Sequence, residues 1–388
     1  MKIALYTYNT KPRGGVVHTL ALAEAMNRRG CQVKVFALGL GGTSGFYRPI
    51  EAEERVIPFS ARAGETFESR VIRYIETYTA GLEAEPLEQF DIHHVQDCIS
   101  ANSLSRLKEK GRVPFFIRTV HHLDDFTTPA LVDCQQKSVI RPEALITVSD
   151  YWRKRLSDDI GRNSTVIHNG VDHRFFKPCD DKRELKKKYG LADKTVYFTL
   201  GGIEPRKNTI RTLRAFAEVK RSIPDAVLVI AGGTTLFDYR YYLDDFHQEL
   251  NGLDKAVRDD IRIAGSPDTD TIQDYYQLAD CFVQPSVKEG WGLAIMEAMA
   301  AGTPVVASTI EVFREFLIHE DHALLADPED EGSIAASMTR IVKDRGLSYK
   351  LSRNGKEAAK AYSWESAADQ HLALYERMVQ NGRAGAAD

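Results

Sequence analysis

Hydrophobic positions along the chain fall into short apolar runs that alternate with stretches of helical spacing. Ile3–Tyr8 is an apolar run closed by the turn Lys11-Pro12-Arg13-Gly14-Gly15. Leu20, Leu22, Ala23, Ala25 and Met26 then recur at helical spacing between Val16 and Arg29, and Gly30 stops the helix. Val33–Leu38 predicts the next strand, so the chain opens with a strand–helix–strand unit and a right-handed parallel crossover. Further strands are predicted at Ile92–Val95, Phe115–Val120, Ala144–Val148 and Thr165–Ile167. Residues 41–66 are Gly-rich and lack periodicity, which predicts a mobile surface loop.

A second series follows. Asp180–Tyr189 reads as a charged helix, Thr195–Leu200 as a strand, Thr209–Ser222 as an amphipathic helix and Ala226–Ala231 as a strand ending in Gly232-Gly233. Ile261–Ala264, Cys281–Gln284 and Pro304–Ala307 continue the strands, and Trp364–Gln380 is helical in spacing. Two such series predict an α/β protein of two Rossmann-like, doubly wound domains facing a cleft, divided near Gly170. Ligands of such sheets sit at the carboxyl ends of the strands.

Composition narrows the function. A chain of 388 residues, 43% hydrophobic and 27% charged, is globular and long enough for two domains. With 51 Lys+Arg against 55 Asp+Glu, the net charge of −4 argues against a nucleic-acid partner held by phosphate neutralisation. Cys31, Cys98, Cys134, Cys179 and Cys281 have neither zinc spacing nor a disulfide framework and read as small buried hydrophobes. Met1–Tyr6 is too short for the apolar region of a signal peptide, and no run approaches the roughly 18 apolar residues of a membrane span. The expectation is a cytoplasmic protein. Tyr151-Trp152-Arg153-Lys154-Arg155-Leu156 reads first as a solvated helix face, with peripheral contact to a membrane surface as the alternative.

The strongest chemical signal is the string from Pro285 to Ala307, which leaves a strand, passes Gly290-Trp291-Gly292 and enters a helix at Leu293. Such a turn frees backbone N–H groups at a helix N-terminus, a natural anion site. Glu289 lies in the turn and Glu297 in the second turn of the helix. If a diphosphate sits at the N–H groups, these carboxylates are spaced to grip hydroxyl groups on either side of it. Gly201-Gly202-Ile203-Glu204-Pro205-Arg206-Lys207-Asn208 also joins a strand to a helix, and its two adjacent cations suit the charge of a departing diphosphate. Gly14-Gly15 lets backbone approach a phosphate, although Gly-x-Gly-x-x-Gly is absent there, which disfavours a dinucleotide oxidoreductase. His121 and His122 close a strand before Leu123-Asp124-Asp125, so a metal site competes with a substrate contact at His121. Asp268-Thr269-Asp270 is read as the cap of a helix starting near Thr271, and no metal or other cofactor is expected.

Together these motifs resemble the family-4 retaining glycosyltransferases, whose Glu-x7-Glu signature matches Glu289 and Glu297. The resemblance runs in register through Gly14-Gly15-Val16 with His18, Thr119-Val120-His121, Thr147-Val148-Ser149, Asn169-Gly170-Val171-Asp172 and Ser363-Trp364. It implies the GT-B fold, with an acceptor-side domain at 1–170, a donor domain at 171–363, and a last helix, 364–388, crossing back to the first domain. It further implies a nucleotide diphosphate sugar as donor and transfer to an acceptor hydroxyl with retention. In that reading Glu297 holds the ribose and Glu289 the donor sugar, while His121 approaches the sugar near its reacting face. Arg206 and Lys207 stabilise the leaving diphosphate together with the backbones of Gly15 and Gly292. Gly14, Gly290 and Leu293 complete the backbone contacts, and main chain near Gly265-Ser266 helps recognise the donor. Many family members carry Gly-Arg where this chain has Gly201-Gly202, which leaves the cationic role to Arg206 and Lys207.

The function expected is therefore metal-independent glycosyl transfer to a carbohydrate or lipid-linked acceptor. The rival readings are another GT-B enzyme, a phosphorylase or nucleotide-sugar epimerase, and a non-catalytic nucleotide-sugar-binding protein. Nucleotide, sugar and acceptor are not named by the sequence.

Overall fold

A computed structural model describes residues 1–60, 62–233 and 240–384. The chain divides into two compact units: Met1–Gly170 with the chain from Ser363 onward, and Val171–Tyr362. In the first unit the strands are β1 (Lys2–Thr7), β2 (Gln32–Leu40), β3 (Glu53–Phe59), β4 (Ile92–Val95), β5 (Ile117–Val120), β6 (Ala144–Thr147) and β7 (Thr165–Val166). They form one sheet in the order β3-β2-β1-β4-β5-β6-β7, with every neighbouring pair parallel. The second unit holds β8 (Thr195–Leu200), β9 (Ala226–Ala231), β10 (Ile261–Gly265), β11 (Cys281–Gln284), β12 (Val305–Ser308) and β13 (Leu324–Ala326). Their order is β10-β9-β8-β11-β12-β13, again all parallel.

Both orders reverse direction once, between β1 and β4 and between β8 and β11, which is the doubly wound Rossmann pattern with its switch-point crevice. The reason is visible in the strands themselves. Ile3, Ala4, Leu5 and Tyr6 of β1 are fully buried, as are all six residues of β9 to within 2%. Sheets covered by helices on both faces need such continuous apolar strands. Each fully buried Phe or Leu contributes about 1.5–3 kcal/mol relative to exposure.

Two expectations change. Residues 41–66 are not one loop: Glu53–Phe59 forms β3, paired in parallel with β2 from Lys34 to Leu40. Residue 61 of that stretch lies outside the described residues. The strand was hidden because it is an edge, with only Val56, Ile57 and Phe59 buried behind an exposed Glu-Glu-Arg start, and Pro58 is tolerated there. The first helix spans Gly14–Arg28, so the two glycines are its opening turn rather than a loop before it. The cysteines also divide: Cys134 and Cys281 are buried, whereas Cys31, Cys98 and Cys179 are partly exposed.

The helix Trp364–Ala384 belongs to the first unit, where it packs on Gly14–Arg28. Residues 385–388, assigned with it by the resemblance, lie outside the described residues. Ala367, Ala368, His371 and Tyr375 face the interior, and Tyr375 Oη lies 2.6 Å from His94 Nδ1. The outer ion pairs, Arg28–Glu365 at 2.8 Å and Arg29–Asp369 at 2.7 Å, are exposed and contribute little. In the helix Asp150–Ile160, Trp152 and Leu156 are buried, while Arg153 and Arg155 pair with Asp150 and Asp159. That is an ordinary solvated face. Among the described residues no helix is long and apolar enough to cross a membrane.

Candidate active site

In the second unit, the segments leaving β8 and β11 meet at the switch point. Pro205–Lys207 forms a single 3-10 turn, and Asn208 ends it in the left-handed region at φ 60° before the helix Thr209–Ser222 begins. Asn208 is buried, and its Nδ2 donates to the carbonyls of Pro285 (3.0 Å) and Pro328 (2.7 Å). Val287 N donates to Arg206 O at 2.9 Å. The basic turn is thus stapled through backbone to the loop that carries Glu289.

Glu289 is only 8% exposed and is surrounded by donors. Its Oε1 accepts from Lys207 Nζ (2.5 Å), Gln284 Nε2 (2.9 Å) and Ser286 Oγ (3.0 Å), and its Oε2 from Arg206 Nη1 (3.1 Å). Arg206 Nε in turn lies 3.0 Å from the buried Glu204. Burial alone would raise the Glu289 pKa, but the Lys207 and Arg206 charges and the bonds from Lys207 and Ser286 hold it at about 2. Burial lowers the Lys207 pKa, while Glu289 works to keep the ammonium charged. The two cations expected to face a diphosphate are therefore paired with a carboxylate of the same site.

Gly202, the second glycine of the pair, is closely packed. At φ +78°, a Cβ there would stand 2.3 Å from Gly233 O, so the β8 and β9 ends approach too closely for any side chain. Gly292 is equally constrained: at φ +123° its Cβ would meet Phe313 Cε1 at 2.9 Å. It stands immediately before the helix Leu293–Ala300, with Gly290 and Trp291 buried beside it.

Glu297 behaves differently from Glu289. The Tyr276 hydroxyl donates to its Oε2 at 2.8 Å. Burial pushes its pKa up to about 7; Asp172 adds to that rise, while Tyr276, Arg174 and Lys207 oppose it. Tyr276 is fully buried among Phe175, Phe198 and Phe282, with ring centroids 5.2–5.7 Å away. Ser266 is exposed just beyond the end of β10. Asp268 caps the helix Thr269–Leu278 by accepting from Thr271 N at 2.7 Å, and that helix starts two residues before Thr271.

In the first unit, Gly15 and His121 are brought together: a Cβ on Gly15 would stand 3.6 Å from His121 Cδ2, ordinary contact distance. Gly14 has open space around it. His121 Nε2 lies 3.2 Å from Gln96 Oε1, which fits a donating Nε2–H. His18 meets the His121 ring edge-on at 4.8 Å, and its Nδ1 is 2.8 Å from Asn169 Oδ1. Burial, reinforced by His122 and His94, takes the His121 pKa down to about 3, so its imidazole is neutral near pH 7. His122 pairs instead with Asp124 at 3.5 Å.

Two family models match the chain in succession. The model for Glycosyltransferase Family 4 covers residues 12–175, and that for glycosyl transferases group 1 covers residues 181–358. The chain belongs to the family-4 glycosyltransferases. It is 28% identical over 397 residues to an uncharacterized glycosyltransferase of Methanocaldococcus jannaschii, covering 97% of this chain and 98% of the relative. It is 27% identical over 392 residues to the phosphatidyl-myo-inositol mannosyltransferase of Mycobacterium leprae, covering 98% and 97%. Among solved structures, Anabaena HepE in complex with UDP and glucose matches with a TM-score of 0.80 at 18% identity, over 97% of this chain and 99% of that one. The glycosyltransferase has the GT-B fold, two Rossmann-like domains with parallel sheets.

Sequence reasoning about this glycosyltransferase missed Gln96, Gln284 and Tyr276 as groups that orient site residues. Gln96 and Gln284 stand just after β4 and at the end of β11, where a polar residue following an apolar run could have drawn attention. Tyr276 carries no such mark, since an aromatic inside a helix reads as core.

Proposed function

We propose that this glycosyltransferase moves a sugar from a nucleotide diphosphate sugar to an acceptor hydroxyl, with retention and without a metal ion. The observation that carries the reading is the convergence of Arg206, Lys207 and Glu289 at the switch point between β8 and β11, in front of the glycine turn that opens Leu293–Ala300. Cations and helix N–H groups aimed at one place stabilise charge developing on a leaving diphosphate. Arg206 and Lys207 take that charge, and the backbones of Gly290, Gly292 and Leu293 bind the phosphates. Glu297 accepts from the ribose hydroxyls, Glu289 from hydroxyls of the donor sugar, and main chain at Ser266 serves the nucleotide.

From the first unit, Gly14 and Gly15 give backbone contact to the phosphates and His121 approaches the sugar as a neutral hydrogen-bonding group. No residue is assigned as a covalent nucleophile. The leaving phosphate itself takes the acceptor's proton as the new glycosidic bond forms on the same face. The acceptor is a carbohydrate or lipid-linked hydroxyl, in keeping with a phosphatidyl-myo-inositol mannosyltransferase among the relatives. The Asp268 carboxylate, engaged as a helix cap, supports a mechanism that does not depend on an Asp-x-Asp metal site.

The test is nucleoside diphosphate release from UDP-, GDP- and ADP-hexoses with polyol and lipid-linked acceptors in excess EDTA, followed by NMR of the product anomer. Acceptor-dependent release with retained configuration is expected. Inverted product, or activity restored only by a divalent metal, contradicts the mechanism.

A further inference from the structure

We infer that Glu289 is the internal counter-ion of the diphosphate site, so that its carboxylate competes with the incoming nucleotide for Lys207 and Arg206. The inference rests on the donor reading above and concerns the regulation of that same site. Lys207 Nζ and Arg206 Nη1 lie 2.5 and 3.1 Å from the two oxygens of Glu289, one on each. Glu204 stands 3.0 Å from Arg206 Nε on the other side. Two cations and two carboxylates thus form a cluster whose formal charges cancel. Both carboxylates are buried, and the Lys207 side chain is only 13% exposed. In such surroundings charges interact far more strongly than in water, so a neutral cluster and one carrying a unit positive charge differ greatly as anion sites.

A diphosphate arriving at this cluster meets cations already paired with carboxylates. Binding becomes an exchange: phosphate oxygens replace Glu289 on the two cations, and the released carboxylate turns its acceptor capacity to sugar hydroxyls. The exchange runs backward after transfer. Once the sugar has left, Glu289 no longer has those hydroxyls to accept from and returns to Lys207 and Arg206, which favours departure of the nucleoside diphosphate. Glu289 therefore weakens binding of the diphosphate alone. A residue acting only as a ligand would strengthen it.

Calorimetric titration of UDP, GDP and ADP into the whole protein and its Glu289→Gln and Glu289→Asp variants tests this. All titrations are run at the same pH of 6.5. The nucleotide that wild type binds is expected to bind Glu289→Gln at least about 10-fold more tightly, and Glu289→Asp within about threefold of wild type. Circular dichroism checks each fold; should Glu289→Gln not fold, Glu289→Ala, equally neutral, makes the same comparison. Equal or weaker binding by the neutral variant, with wild type still binding, overturns the counter-ion role and leaves the donor reading standing. Absence of binding by both wild type and the neutral variant to all three nucleotides overturns the donor reading, and this inference with it; binding by the neutral variant alone supports the counter-ion role.

Discussion

Just beyond β5 in the first unit, His121 meets Gln96 and the rings of His18 and His94, and the Arg118 charge bears on it. Just beyond β11 in the second unit, Glu289 is set among cations. Glu289 follows the strand at its sheet's switch point and His121 the strand one further on, yet one side chain is kept charged and the other neutral. Burial, and after it the His122, His94 and Arg118 charges, takes the His121 pKa to about 3. Glu289 suffers the same desolvation, but Lys207 and Arg206 reverse its effect and hold the carboxylate at about 2. The fold supplies a crevice in both units; Glu289 finds two paired cations there, whereas the one cation that bears on His121, Arg118, disfavours its charge.

The sharpest way to break this contrast is to compare Lys207→Ala with His121→Ala in steady-state turnover. Removing a charge aimed at the leaving group should lower kcat about 10²–10³-fold. Losing a neutral hydrogen-bonding group should cost about 10-fold. Circular dichroism should show both variants folded. Equal losses would mean that His121 takes part in the chemistry on the same footing as the cation.

A smaller effect follows from the two carboxylates of the Glu-x7-Glu pair. Glu297, with a pKa raised to about 7, is half-protonated near neutrality, whereas Glu289 is ionised throughout. Ribose hydroxyls donate to the ionised form, so donor binding favours loss of the Glu297 proton. Affinity for a nucleotide sugar should therefore rise as pH rises through 7, by about tenfold between pH 6 and pH 8, and level off above. A nucleotide sugar has no phosphate group titrating in this range, which makes it the clean probe. Glu297→Gln should flatten the profile, and Tyr276→Phe, which removes a donor to the charged form, should shift its midpoint up by about one unit. A profile unchanged by either substitution would place the titrating group elsewhere.

The sheets were largely legible in the sequence because β1, β9 and β11 are unbroken apolar runs between helix-spaced stretches. What escaped was β3, where edge position replaces the apolar run with Glu53, Glu54 and Arg55. In the candidate site, spacing identified Glu289 and Glu297 as a pair of carboxylates but said nothing of their different pKa values. That difference comes from Lys207 and Arg206 after β8, which hold Glu289 ionised, and from the burial that raises Glu297 against the opposing bond from Tyr276, surroundings that only folding creates. Gly15 and Gly202 also look alike as letters. A Cβ would fit at Gly15 and would collide with backbone at Gly202, a distinction set by the neighbouring strand end at Gly233.

The assignment of the donor's diphosphate to the charges after β8 carries the proposed mechanism. Its most direct test is calorimetric titration of UDP-, GDP- and ADP-glucose into the wild type and the Arg206→Ala/Lys207→Ala double variant. At least one nucleotide sugar should bind wild type and should bind the folded double variant at least about 100-fold more weakly. Unchanged affinity in the double variant would contradict the account, because the diphosphate would then be held without the two cations on which it depends.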